Sequence, residues 1–362
     1  MDLNVDDNIA TASTISAKFY QDKSIFETTK DLIFARSWQF LGDLNELKAP
    51  GSVIPRTLLE GFLDEPILLT RNFDDELNCM ANVCTHRGFK VIEKGGNERN
   101  LRCRYHGRKY TLNGKFESMP EFEKTENFPT ESDNLPAINF RIWKNLIFVN
   151  LARGIDFDKL IVALDKRIGW LPIQDFTFTP SLSRDYLVRA NWALYCDNYL
   201  EGFHIPYVHS SLNEALDYRG YTTELFELSN LQLGIADGAE ETFELPQDSQ
   251  DYGKNIAAYY FWVWTNMMFN FYPWGLSINI IEPIDVNRTK VRFLTYMWKS
   301  ELYDKGAGSG LDRVEREDEN VVELVQKGIS SRFYNKGRFS PTQEQGVHQF
   351  HTLISRLMKN SI

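Results

Sequence analysis

Apolar positions change their spacing along the chain, and each change predicts a different kind of element. In residues 23–37, KSIFETTKDLIFARS, the side chains of Ile25, Phe26, Leu32, Ile33 and Phe34 recur at helical spacing, which predicts an amphipathic helix ended by Gly42 of SWQFLG. From about residue 43 to 150 the runs are short and strand-like: PILLTRN, LNCMANVC and RIWKNLIFVNL, broken by Gly, Pro and Asn. Asn113-Gly114 in YTLNGKF is a strong hairpin signal, because both residues tolerate the positive φ that a two-residue turn demands. This stretch predicts a small all-β domain.

Beyond residue 155 the pattern is mixed. FDKLIVALDKRI reads as a helix and residues 191–217 as helical or looped. AAYYFWVWTNMMFNFY, GLSINIIEPI and KVRFLTYMWKS read as strands, KGAGSGL at 305–311 as a turn-rich loop, and 312–330 and 341–360 as helices. The chain is therefore α+β, with a helical N-terminal segment over 1–42 packing on the last domain, an all-β domain over 43–155, and a domain over 156–362 whose antiparallel sheet grips a long C-terminal helix.

Composition narrows the function. A chain of 362 residues is long enough for two cores. Its net charge of −10 argues against nucleic acid or an anionic membrane as the main partner, since neutralising phosphates takes clustered Lys and Arg. The start MDLNVDDNIATAST is polar and acidic, and no apolar run of about 18 residues occurs, so a cytoplasmic location without a membrane span is expected. Four cysteines are too few for a disulfide scaffold.

The cysteines and histidines carry the chemistry. Cys84-x-His86 in CTHRG is followed by residues 87–102 and then by Cys103-x-x-His106 in CRYHG. Each loop offers one sulfur and one nitrogen, with Gly88 or Gly107 next to turn the backbone. Such a set can close a metal site. Tetrahedral zinc is one occupant, although zinc folds favour Cys-x₂₋₄-Cys with His-x₃₋₅-His; a diiron cluster with cysteines on one iron and histidines on the other is the alternative.

A second constellation lies in NWALYCDNYLEGFHIPYVH, residues 191–209. His204 and His209 are separated by more than a helical turn, and Pro206 between them breaks the helix so that both rings can turn to one point. Asp197, Asn198 and Glu201 stand just upstream. Two histidines and one carboxylate with open positions form the facial triad of non-haem Fe(II) oxygenases. The run EREDENVVELVQKG offers the distant carboxylates Glu315, Glu317, Asp318, Glu319 and Glu323. Glu344, His348 and His351 share one helical face, but the apolar stripe of Val347, Phe350, Leu353 and Ile354 makes them packing or capping residues rather than a further metal site.

CTHRG and CRYHG resemble the cluster loops of the Rieske proteins, and DNYLEGFHIPYVH with VQKGISSRFYNKGRFS resembles the Rieske non-haem iron oxygenases, most closely the choline, glycine-betaine and carnitine monooxygenase branch. The likeness runs from ARSWQFLG to the final helix. It implies a Rieske domain followed by a helix-grip catalytic domain of START or Bet v1 type. It implies a [2Fe–2S] cluster with Cys84 and Cys103 on one iron and His86 and His106 on the other, the neutral ligands raising its potential. It also implies mononuclear Fe(II) held by His204, His209 and Asp318, with Glu317 competing for the third place, and catalytic roles for Glu201, Asn198 and Asp197. In that family the acid at the Glu201 position bridges cluster and iron of neighbouring subunits, which implies a homotrimer. Arg108 is a departure, since many oxygenases place Trp after Tyr-His-Gly.

The chain has no Gly-x-Gly-x-x-Gly after a strand and no Cys-x₄-Cys-x₂-Cys run, so NAD(P)H and flavin are expected only through a separate reductase. A quaternary ammonium substrate calls for an aromatic cage, and YYFWVWTNMMFNFYPW at 259–274 is rich in rings, of which strand alternation would aim every second one at a pocket. The expected reaction is oxidative N-demethylation or hydroxylation of a betaine-, choline- or carnitine-like compound. Aromatic ring hydroxylation by a dioxygenase is the rival, and a non-catalytic electron carrier or redox sensor would require a lost ligand.

Overall fold

The computed structural model describes residues 3–152, 154–209, 222–236, 241–303, 305–306 and 310–359. The chain divides into two compact units, one of residues 38–153 and one that joins residues 1–37 to 154–362.

The 38–153 unit is all β. Strands β1 (Gln39–Asp43), β10 (Leu146–Asn150) and β9 (Asn139–Trp143) form one antiparallel sheet. A second sheet takes β4 (Leu77–Ala81), β3 (Glu65–Arg71), β2 (Ser52–Leu58) and the short β5 (Gly96–Asn97). The smallest combines β6 (Leu101–Arg102), β7 (Lys109–Tyr110) and β8 (Phe116–Ser118), with Gly114 at φ +78° in the β7–β8 turn. Val53, Leu68, Met80, Leu101, Tyr110 and Leu112 share a buried core with Cys84 and Cys103. RIWKNLIFVNL, which reads as one apolar run, is a hairpin that reverses at Lys144, held at φ +57°.

The other unit is built on an eight-stranded antiparallel sheet. Its path runs β11 (Thr177–Phe178), β18 (Arg288–Met297), β17 (Gly275–Asp285), β16 (Met267–Tyr272), β15 (Ile256–Val263), β14 (Ser229–Ile235) and β13 (Thr222–Leu225), with β12 (Arg184–Val188) also pairing β18. Around it stand α1 (Lys23–Thr29), α2 (Phe157–Ile168), α3 (Trp192–Tyr199), α4 (Ile205–Val208), α5 (Leu311–Ile329) and α6 (Gln345–Lys359). The grip is visible in the packing of Phe350 of α6, whose ring lies 5.4 Å from Trp262 of β15 and 5.7 Å from Trp192 of α3. Edge-to-face stacking of this kind adds to the burial of each ring. Gly346 lets α6 approach, since a Cβ there would fall 2.5 Å from the Leu200 carbonyl oxygen.

Two local expectations are corrected. The first helix does not run to Gly42: α1 ends at Thr29, a π-helical turn follows over Lys30–Phe34, and Gly42 lies inside β1. Nor does Pro206 break a helix. It occupies the first turn of α4, where its missing N–H costs nothing, and the two histidines flank that short helix. Residues 210–217 of the stretch read as helical or looped, and 307–309 of KGAGSGL, lie outside the described residues.

Candidate active site

The two Cys/His loops repeat one backbone geometry. In one, the Gly88 N–H donates to the Cys84 carbonyl at 2.9 Å; in the other, the Gly107 N–H donates to the Cys103 carbonyl at 3.0 Å. Both glycines have positive φ, +70° and +77°, where a side chain would strain the turn. The cysteines are buried, the histidines are part-exposed, and the imidazole centroids of His86 and His106 lie 4.8 Å apart. His106 Nδ1 is buried without a hydrogen-bond partner, the condition of a nitrogen whose lone pair awaits a metal. Burial, with the charges of His106, Arg87 and Arg108, holds His86 below its usual pKa and so in its neutral, ligating form.

Tyr110, which sequence reasoning passed over, completes this loop pair. Its hydroxyl sits 3.2 Å from Cys84 Sγ and accepts from the Thr85 N–H at 3.1 Å. Burial and the bond to Cys84 push the phenol up to about 12, so it stays protonated and can donate to the sulfur. Hydrogen bonds to ligating sulfur are one of the levers on cluster potential. The signal available was a tyrosine at the strand end just after CRYHG. Arg108 is folded inward and only 2% exposed; it donates to Asp133 Oδ1 at 2.6 Å, with its guanidinium carbon 4.9 Å from the Phe116 ring centroid and 5.4 Å from that of Phe128. Its charge is thus paired and stacked where many oxygenases place an indole.

In the larger unit, α4 holds His204 at its N-terminal cap and His209 just past its end, and the rings lie 5.1 Å apart. Asp318 reaches them from α5: Oδ1 is 3.0 Å from His209 Nε2 and 3.5 Å from His204 Nε2. One ligand atom from each of the three residues falls within 4.8 Å of the others, a spacing that suits a metal ion. The outer nitrogens are fixed by further carboxylates. His204 Nδ1 is 2.7 Å from Glu201 and His209 Nδ1 is 2.8 Å from Glu317, so both Nδ1–H groups donate outward and both Nε2 atoms are directed at Asp318. Glu317, the rival third ligand, is therefore placed behind His209 as an orienting acceptor.

The electrostatics ask for positive charge. Burial disfavours a charged His204, yet the hydrogen bonds to Asp318 and Glu201 override it and raise the imidazole to about 9. His209 is shifted upward for the same reasons, by Asp318 and Glu317, while Asp318 is held below its usual value by the two imidazoles despite its own burial. A divalent cation would take the place of the imidazolium protons.

A cavity opens over this triad. Its sheet side is set by register: Gln232, Tyr260, Asn270 and Ser277 are successive cross-strand partners on β14, β15, β16 and β17, with Asn279 and Phe293 paired one step along. Of the ring-rich run, Tyr260 and Tyr272 line the cavity, while Phe261, Trp262, Trp264, Phe269 and Phe271 fill the core. Its helix side carries Tyr195, Asn198, Tyr199, Glu201 and Glu315. Tyr199 spans the two sides, its hydroxyl donating to Asn270 at 2.7 Å.

Asp197 is placed elsewhere. It accepts from the Tyr20 hydroxyl at 2.7 Å and pairs with His351 Nε2 at 2.9 Å, tying α3 to the N-terminal segment and to α6, and it is not among the lining residues. His348 instead reaches the Asp6 carbonyl and Glu344 the Ser340 N–H, so that helical face serves separate structural contacts. Glu315 and Tyr195 were missed as a pair. The glutamate is 4% exposed, both its oxygens lie 2.6 Å from the Tyr195 hydroxyl, and burial together with the charges of Asp318 and Glu319 pushes it well above the carboxylate range. Its place as one acid among several in the charged run of α5 hid it.

Fold and site define an oxygenase subunit that couples an iron–sulfur domain to a catalytic iron domain. Residues 174–360 match the family of the ring hydroxylating alpha subunit (catalytic domain), and residues 37–129 match the Rieske [2Fe-2S] domain, so the chain belongs to the Rieske oxygenase alpha-subunit family. It is 28% identical to the chloroplastic choline monooxygenase of Arabidopsis thaliana, over 96% of this chain and 83% of that protein. It is also 28% identical to the carnitine monooxygenase oxygenase subunit of Escherichia coli (strain K12), over 98% of this chain and 96% of the relative. A solved quaternary ammonium Rieske monooxygenase, described with carnitine oxidation by gut microbiota and inter-subunit electron transfer, superposes with a TM-score of 0.78 at 25% identity, covering 98% of this chain and all of that one. The protein is thus an oxidoreductase with a [2Fe–2S] cluster and a mononuclear iron as its cofactors. Among the described residues no helix is long and apolar enough to cross a membrane.

Proposed function

We propose that the protein hydroxylates a methyl or methylene carbon of a quaternary ammonium compound of the choline, betaine or carnitine kind. The observation that carries this reading is the cavity over His204, His209 and Asp318, walled by Tyr195, Tyr199, Tyr260, Tyr272 and Phe293 and bordered by acids. Ring faces and carboxylates attract a cation that cannot donate hydrogen bonds. An arene needs the rings and not the acids.

In this reading Cys84 and Cys103 hold one iron of the cluster and His86 and His106 the other, while His204, His209 and Asp318 hold the mononuclear iron, which supplies oxygen activation when bound. Glu201 and Glu317 keep the imidazoles oriented by accepting their outer protons. Asn198 and Glu201 border the cavity as polar neighbours of the reacting region, and Asp197 fixes α3 through Tyr20 and His351. The balance is R–CH3 + O2 + two electrons + two protons giving R–CH2OH + H2O. A hydroxymethyl group on nitrogen collapses to formaldehyde and the tertiary amine; the choline carbinol gives an aldehyde hydrate.

The two electrons come from a separate NAD(P)H-dependent flavin or iron–sulfur reductase. A homotrimer with Glu201 at the subunit junction is supported by the inter-subunit electron transfer described for the solved relative. Four free, buried cysteines support a reducing compartment, the cytoplasm. The test is oxygen uptake by protein reconstituted with ferrous iron and a reductase, over choline, glycine betaine, carnitine and simple arenes. Uptake stimulated by methylammonium compounds, with formaldehyde or aldehyde appearing, is expected; stimulation by arenes alone would refute the reading.

A further inference from the structure

We propose that Glu315 is the specificity-determining anion of this cavity, the carboxylate that the positive nitrogen of the substrate faces. The assignment rests on the quaternary ammonium reading above and goes on to name the residue that selects the charge.

Glu315 lies on α5 one helical turn before Asp318, so both carboxyl groups project from one face of that helix and both line the cavity. Its only hydrogen-bond partner among the described residues is the Tyr195 hydroxyl, 2.6 Å from each oxygen. One phenolic proton cannot saturate the four or so acceptor sites of a carboxylate. No lysine, arginine or histidine pairs with it among the described residues, and the largest charges acting on it, those of Asp318, Glu319 and Asp312, are negative. Burial holds such a carboxyl group neutral while the cavity is empty, and a cation that enters beside it is what draws it into the charged form.

The surroundings specify which kind of cation. An ammonium with protons would seek hydrogen-bond acceptors, whereas a trimethylammonium group asks for a nearby negative charge and ring faces. The cavity offers both, with Tyr195 touching Glu315 and Tyr260, Tyr272 and Phe293 on the sheet side. Glutamine at 315 would satisfy Tyr195 as well as glutamate does, because its amide oxygen accepts the same hydrogen bond. The capacity to take up a negative charge is thus in excess of what the tyrosine requires.

The test compares the wild type with Glu315→Gln, using choline against 3,3-dimethylbutan-1-ol and glycine betaine against 3,3-dimethylbutanoate, pairs that differ only in N⁺ for carbon. The KM of the quaternary ammonium compound is taken from oxygen uptake and the Ki of its carbon isostere from competition. Loss of one partner of a desolvated charge pair should raise the KM by about 30-fold or more while the Ki changes by less than about threefold. An unchanged KM, or a KM and Ki that rise together, overturns the assignment. If the variant does not fold, the wild type still decides: it must prefer the quaternary ammonium compound over its isostere by at least about 30-fold, and any smaller preference overturns the assignment. Wild type that responds to no methylammonium compound overturns the functional reading, and this one with it; wild type that oxidises choline while Glu315→Gln keeps its KM overturns this one alone.

Discussion

Asp318→Ala is expected to abolish turnover while leaving the visible absorption of the cluster in place. Asp318 is the point at which the two Nε2 atoms meet, and among the described residues it is the one acid that brings His204 and His209 into a common set of ligand atoms. Removing an outer partner of a metal-bound histidine costs about 10- to 100-fold in metal affinity or activity, so loss of a direct ligand should exceed that range. The cysteines and histidines of the CTHRG and CRYHG loops belong to the separate 38–153 unit, so their absorption should not change. Iron analysis and oxygen uptake on the same preparation check this. Retained iron with retained uptake would mean that another acid holds the metal, and Glu317→Ala would then be the informative variant.

Cys103→Ser is expected to have the complementary effect: no cluster absorption, no uptake, and a less stable 38–153 unit. Cys103 is buried in the same apolar core as Leu101 and Tyr110, so the sulfur, with the iron it would hold, is part of what that core closes around. Burial raises the Cys103 thiol above its ordinary value, which means that without a metal the sulfur stays protonated and contributes no attraction. Binding free energy at such a site is folding free energy, on the order of several kcal/mol. Turnover should fall by at least about 100-fold, as for any direct ligand. Thermal melting followed by circular dichroism should show the loss in the first transition, with mononuclear iron still bound to the other unit. An intact cluster spectrum in this variant would contradict the ligand assignment.

Much of this site was legible in the sequence because the ligands sit in short local motifs. CTHRG and CRYHG carry their turn glycines with them, and the hairpin at Asn113-Gly114 follows from the φ those residues accept. The helix Phe157–Ile168 was legible for a different reason: Asp156 caps it and its apolar spacing is regular. What stayed hidden depends on register and packing. Nothing in GLSINIIEPI says that Ser277 will stand beside Asn270, or in LQLGI that Gln232 will stand beside Tyr260; those meetings come from the pairing of β14 to β17. The acids of α5 look alike as letters. Their helical positions separate them into Asp318 beside the histidines, Glu317 behind His209, and Glu315 buried against Tyr195. Pro206 misled because a proline signals a helix interruption and a helix start with the same letter.

The most direct test is metal and sulfide analysis of intact protein purified without oxygen. The account predicts about three irons and about two acid-labile sulfides per chain, with the third iron lost on Asp318→Ala. Zinc in place of iron, without acid-labile sulfide, would contradict it.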